Sequence, residues 1–306
     1  MENRWMLAVL AALTGVGCDP GAGADAKETG TGGSTSSPGP ILPTIEDPGP
    51  LDTSATCAPG PMPTSGTLQG RWGSLTATVA GQEYFLQVNE WGASEPQTIE
   101  YGGDTIFRIT QQEAEASTNG APTGFPCMFI GSNNGHATAN SNLPKAVSEL
   151  VSVPTTWTWN DVGVASDTVN NQFNATYDVW FSTTAAGDPG SPSGGYLMVW
   201  LYDPPLGNPM SSGQAPYPFT NVTVPGVSGT WDVFLGLNNS KPVISYIRRQ
   251  ATYGMTFDLN AFIQDAVNNR PGSIEASWYL TNVFIGFEIW RGGVGVETTG
   301  FCAFVN

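Results

Sequence analysis

The feature that most constrains this chain is a two-residue alternation that recurs in four separate stretches and is demanding on both of its sides. In Tyr196-Leu197-Met198-Val199-Trp200-Leu201, the residues Leu197, Val199 and Leu201 alternate with Tyr196, Met198 and Trp200. Successive side chains of a β-strand point to opposite faces, so one face here is aliphatic and the other aromatic. In FLQVNEW, Gln87, Asn89 and Trp91 oppose Leu86 and Val88. In ATYDVWF, Thr176, Asp178 and Trp180 oppose Tyr177, Val179 and Phe181. In VFIGFEIW, Phe284, Gly286, Glu288 and Trp290 oppose Val283, Ile285, Phe287 and Ile289.

The first face is ordinary core. Tryptophans alone on the second would suit another buried layer, but each strand pairs its indole with Asn, Met or a lone carboxylate. Sealing an unpaired carboxylate costs several kcal/mol, a cost that an open groove avoids. Aromatic rings stack on the C–H faces of sugars while isolated polar groups bond the hydroxyls. The alternation therefore predicts a concave, carbohydrate-binding sheet face.

Further short β-type runs, among them SLTATVA, IFRITQ, GTWDVFLG, PVISYIRR and TTGFCAFV, are separated by Gly, Pro, Asn and Asp clusters. One stretch is helical: DLNAFIQDAV, with Asp258 as expected N-cap and Leu259, Phe262, Ile263 and Ala266 on one stripe. The expected fold class is all-β, a β-jelly-roll sandwich of concanavalin-like type with a concave cleft and one external helix.

Charge narrows the partners. Ten Lys+Arg against 26 Asp+Glu leave a net charge of −16, which argues against nucleic acid and anionic membrane surfaces and suits a neutral ligand. His136 is the only histidine, so neither a Ser-His-Asp triad nor a multi-His zinc site is available. No metal or cofactor is expected. Asp203 reads as the start of a turn, and Arg248-Arg249 as a solvated strand end.

The chain opens with an export signature over residues 1–18: one Arg, then the short apolar run LAVLAALTGV, then Cys18. Gly17-Cys18 resembles a bacterial lipoprotein processing site, although Gly15 stands where Leu is usual. Lipidation at Cys18 and plain secretion both stay open, and any membrane association is expected only through such a lipid. Residues 19–60, rich in Gly, Pro, Ser and Thr, cannot bury a core and read as a tether. Residues 61–306 form the expected domain, as a monomer. Export permits one disulfide among Cys57, Cys127 and Cys302, and all three pairings are open.

Several stretches, in order, resemble glycoside hydrolase family 12, the endo-β-1,4-glucanases and xyloglucanases, over most of residues 70–304. QVNEWG resembles that family's N-x-W-G segment, YDVWF its Y-D-x-W-F strand, and YLMVWL its E-L-M-I-W-L strand. NSNLPKAVSEL with VPTTWTW, FDLNAFI, and YLTNVFIGFEIWRGG with its G-x-E-x-W-x-G-G ending complete the set. The resemblance implies a curved jelly roll with a long cleft and hydrolysis of β-1,4-glucan: cellulose-like, xyloglucan or mixed-linkage. It implies Glu288 as general acid/base, Asn89 and Trp91 as contacts upstream of the cleaved bond, and Asp178 beside the nucleophile. Met198, Trp200, Trp180 and Trp290 complete the expected substrate-binding set.

One position departs from the family. Where its nucleophilic Glu stands, this chain has Tyr196, and no Glu occurs between Glu149 and Glu275. A retaining glycosidase sets two carboxyls about 5–5.5 Å apart, and a phenol with a pKa of about 10 needs an activating base before it attacks. Three readings follow. Tyr196 is the nucleophile, activated by Asp178; or Asp178, failing that Asp203, serves as base for water or as substitute nucleophile; or hydrolysis is lost and the protein binds β-glucan without cleaving it.

Overall fold

The computed structural model describes residues 57–92, 96–118, 120–133, 135–164, 170–186, 190–203 and 219–306. The export signature, Cys18 and the tether as far as residue 56 lie outside them. Cys57, within the stretch read as tether, is buried and disulfide-bonded to Cys302, a sequence separation of 245 residues. Among the described residues, Cys127 is the free thiol, and it is buried. Of the three open pairings, this one ties the start of the described chain to its last strand.

Two sheets face each other. The smaller runs in the order Met62–Gln69, Gln97–Gly103, Thr105–Gln112, Glu297–Ala303, Pro154–Asn160, Gly254–Asp258. The larger, of eleven strands, has Gly195–Tyr202 and Ala175–Ser182 near its middle, with Tyr279–Gly286, Cys127–Asn133 and Gln82–Gln87 on one side. Lys241–Arg248 and Trp231–Asn238 continue it on the other side. Its pairings along this path are antiparallel except that between Gly195–Tyr202 and Lys241–Arg248.

The alternation divides as expected. Leu197, Val199, Leu201, Tyr177, Val179, Phe181, Val283 and Ile285 enter the inter-sheet core with Trp157 and Phe301 of the smaller sheet. The Trp157 ring meets Tyr177 at 5.4 Å and Phe287 at 5.7 Å. A fully buried side chain of this size contributes about 1.5–3 kcal/mol by leaving water, and dense packing of the two inner faces settles which residues of each strand point inward.

The helix spans Asn260–Asn269. Its N-cap is Leu259, which supplies no side-chain bond, so the expected cap at Asp258 is corrected by one residue. Asp258 still meets the amide: its Oδ1 accepts from Asn260 N–H at 2.9 Å and from Val153 N–H at 2.7 Å, relieving one orphan donor of the first turn. Leu259, Phe262, Ile263 and Ala266 are fully buried, with Phe262 edge-on to Trp231 at 4.8 Å and Tyr246 at 4.9 Å. Arg249 is exposed at its strand end, as expected, and pairs there with Asp232 at 2.9 Å.

Candidate active site

The second face of the larger sheet carries the expected residues. Asp178 stands opposite Phe284 on one neighbouring strand and Met198 on the other. The same row continues through Phe129 to Phe85 in one direction and to Ser245 in the other. Two residues along the strand from Asp178, Trp180 stands between Asn282 and Tyr196. In the other direction, Thr176 lies between Gly286 and Trp200, and beyond it Asn174 faces Glu288. Glu288 and Tyr196 thus flank Asp178 from opposite ends of its strand. Register shifts at Ala175/Thr176 and Trp180/Phe181 bracket this stretch, and bulges bend strands and sharpen their twist.

Burial separates the expected set into two kinds. Asn89, Trp91, Asp178, Trp180 and Glu288 are partly exposed. Tyr196, Met198, Trp200 and Trp290 are buried, and pack with Phe234, Val243 and Ile247. The open groove lined throughout by exposed indoles is therefore corrected: the Trp200 and Trp290 rings lie 6.4 Å apart beneath the surface. The Trp290 indole donates to the Gly120 carbonyl at 2.8 Å, which spends its polar edge on the fold. The Trp180 ring packs on Phe284 at 4.8 Å and edge-on to Tyr196 at 5.9 Å.

Unpaired polar atoms mark the same face. Gln87 Oε1, Trp91 Nε1, Asp178 Oδ1, Trp200 Nε1, Ser245 Oγ and Asn282 Oδ1 are buried without a hydrogen-bond partner. Each such atom costs about 1–3 kcal/mol when left unmatched; others, among them Gln97 Oε1, Gln112 Oε1 and Trp231 Nε1, lie away from this face.

Glu288 lies where the strand Tyr279–Gly286 has ended and Ile289–Arg291 has yet to begin. Gly286 precedes it because a Cβ there would meet the Pro126 carbonyl oxygen at 2.4 Å. Asn174 takes over the pairing: its N–H donates to the Glu288 carbonyl at 3.0 Å and its Oδ1 accepts from Glu288 N–H at 2.8 Å. Its Nδ2 donates to Glu288 Oε2 at 2.5 Å. Burial first, and the charge of Asp178 second, push Glu288 up to about 8, against the pull of the Asn174 bond. Burial also pushes Asp178 up to about 7, opposed by the indole N–H of Trp180, which donates to its Oδ2 at 2.7 Å.

Both carboxyls are thus raised toward neutrality, Glu288 by burial and by the charge of Asp178 together, which is the direction a general acid needs. Asp203, just after its strand, is also pushed to about 7 by burial. It stands beyond Tyr202, a residue that packs in the inter-sheet core against Trp159 and Phe173. His136 is exposed and stacks on Phe85 at 4.5 Å.

Asn174 was not singled out by the sequence. The signal was present: Asn174, Thr176, Asp178 and Trp180 share one parity, and extending the alternation by two residues reaches it.

Comparison with known proteins returns a consistent picture. The family model described as Glycosyl hydrolase family 12 matches residues 82–306. A probable xyloglucan-specific endo-beta-1,4-glucanase A from Aspergillus terreus is 33% identical over 157 residues, covering 51% of this chain and 56% of its own. The protein of the same name from Aspergillus clavatus is 28% identical over 217 residues, 70% of this chain and 83% of its own. A probable cellulase Cel12b from Mycobacterium tuberculosis is 28% identical, covering 54% of this chain and 99% of its own. Among solved structures, endoglucanase cel12A from Rhodothermus marinus is 34% identical with a TM-score of 0.66, covering 79% of this chain and 99% of its own.

Proposed function

Because the chain belongs to glycosyl hydrolase family 12, we propose that it hydrolyses β-1,4-linked glucan, with Glu288 as general acid and Asp178 as the base that activates water. The observation that carries this assignment is the pair itself: two carboxyls on one aromatic face, close enough for the charge of Asp178 to act on Glu288.

Tyr196 removes the usual route through a covalent glycosyl-enzyme. A phenol near pKa 10 is a weak nucleophile at neutral pH, and Asp178 is the carboxylate left on this face. Asp178 and Glu288 stand four residues apart in register. An inverting route of this kind needs the two carboxyls about 6.5–9.5 Å apart, which leaves room for a water. In the proposed step the water oxygen bonds to the anomeric carbon and yields its proton to Asp178. The bond from that carbon to the leaving sugar oxygen breaks, and Glu288 gives its proton to that oxygen.

Trp91 and Trp180, the partly exposed rings, are the stacking platforms in this scheme, and Asn89 a hydroxyl partner upstream of the cleaved bond. Met198, Trp200 and Trp290 form the bed beneath them. Xyloglucan and unbranched β-glucan are the substrates to test first, given the names of the relatives. We read the protein as exported, with residues 1–18 as its signal, the stretch from 19 up to the disulfide-bonded Cys57 as a tether ahead of the domain, and Cys18 lipidated or the chain freely secreted. It acts as a monomer. A role confined to binding has no support in the relatives cited above, whose names are those of glucanases and cellulases.

The test is reducing-end release from a panel of soluble β-glucans, with the anomer of the first product followed by proton NMR. Wild type is expected to release α-configured ends, while Glu288→Gln and Asp178→Asn each lose activity by at least about a hundredfold. A wild-type protein that cleaves nothing in the panel sinks the hydrolase assignment. A first product of β configuration sinks the role given to Asp178.

A further inference from the structure

Three hydrogen bonds tie Asn174 to Glu288, and chemistry dictates the direction of each. Glu288 N–H can only donate, so the end of the Asn174 amide that meets it at 2.8 Å is the oxygen. The NH2 end, which also only donates, is thereby left facing the carboxyl group, with Nδ2 at 2.5 Å from Oε2. Asn174 is fully buried and its own N–H is engaged by the Glu288 carbonyl at 3.0 Å, so the amide has neither room nor reason to turn over. Oε2 therefore always faces a donor hydrogen. In a neutral carboxyl the carbonyl-type oxygen is the better acceptor, and a hydrogen placed on Oε2 would compete with the amide for that atom.

We propose that Asn174 is a positioning residue that confines the acidic hydrogen of Glu288 to Oε1, the oxygen the amide does not touch. The proposal rests on Glu288 being the general acid of the reaction described above. A general acid works only if its hydrogen lies toward the leaving oxygen, so an amide that decides between two carboxyl oxygens decides whether the protonated state is productive. The same bond limits how tightly the proton is held. A donor favours the ionised form, so Asn174 draws Glu288 down against burial and against Asp178, whose charge opposes it.

The experiment labels glutamate at Cδ with carbon-13 and titrates wild type, Asn174→Ala and Asn174→Asp by NMR, the Glu288 signal being assigned by its absence in Glu288→Gln. Initial rates on soluble β-glucan are measured on the same proteins. The Glu288 midpoint is expected to rise by about half a unit or more in Asn174→Ala, and further in Asn174→Asp, whose carboxylate adds a like charge. Expected kcat falls at least about tenfold with KM held within about twofold, and the basic limb of the rate profile follows the NMR midpoint. A Glu288 midpoint that stays or falls in both variants overturns the proposal, as does an unchanged kcat. The NMR arm needs no turnover: a midpoint that rises in a protein cleaving no glucan supports the Asn174–Glu288 coupling, and the hydrolase assignment is then what fails.

Discussion

The indole N–H of Trp180 donates to Asp178 Oδ2 at 2.7 Å, two residues along the same strand, while the other carboxylate oxygen, Oδ1, is buried without a partner. One oxygen is held and the other is left for a reactant. The bond favours the ionised form and opposes the burial that raises Asp178. Replacing Trp180 by Phe keeps a ring against Phe284 but deletes the donor. The acidic limb of the kcat/KM profile is expected to move up by as much as about one unit, a loss of up to about tenfold at pH 6. A limb that does not move means that Asp178 is not the group titrating there.

The wild-type profile should be a bell centred between the two acids. Below about 7 Asp178 is protonated and there is no base; above about 8 Glu288 is ionised and there is no acid. The pair interacts, so the limbs belong to it jointly, but the sign is fixed by the causes of the shifts. Activity on soluble β-glucan is expected to peak near neutrality, above the usual range of exposed carboxyls, and an optimum below about pH 5 contradicts it.

Tyr196→Phe separates the two chemical routes. With Asp178 activating water, the hydroxyl is not a reacting group and kcat should stay within about threefold. A collapse of about a hundredfold or more, with the fold intact by circular dichroism, transfers the nucleophile to Tyr196.

Glu288→Gln should be more stable than wild type at alkaline pH while inactive. A carboxyl raised to about 8 in the folded protein holds its proton more firmly than in the unfolded chain. Its contribution is therefore fully present below the unfolded value and lost as pH rises through the folded one. At pH 9 the neutral amide avoids that loss, and Glu288 is partly exposed, so the expected gain is about 1 kcal/mol, or about 2–4 °C in Tm. At pH 4 the two proteins should melt together. A lower Tm for the variant at pH 9 contradicts the environment described for Glu288.

Legibility followed distance along the chain. Parity sorted Leu197, Val199 and Leu201 from Tyr196, Met198 and Trp200, and the structure puts them in separate clusters. The helix was visible from its stripe, and missed only in its cap, because Asp258 reaches Asn260 N–H from one residue further out. The depth of Trp200 and Trp290 was not visible, since it depends on Phe234, Val243 and Ile247 packing around them from other strands.

By itself, the order of residues determined which side of each strand faces the core and that the opposite side carries indoles and isolated acids. Period-two alternation is a local property of an extended chain, and a one-residue slip would invert every side chain. Tertiary structure alone decided the rest: that Cys57 meets Cys302, that Asn174 grips Glu288 across 114 positions, and that Asp178 lies between Glu288 and Tyr196. These relations depend on which strands become neighbours and in what register. That outcome is set by the packing of the whole sandwich, and no short stretch of sequence contains it.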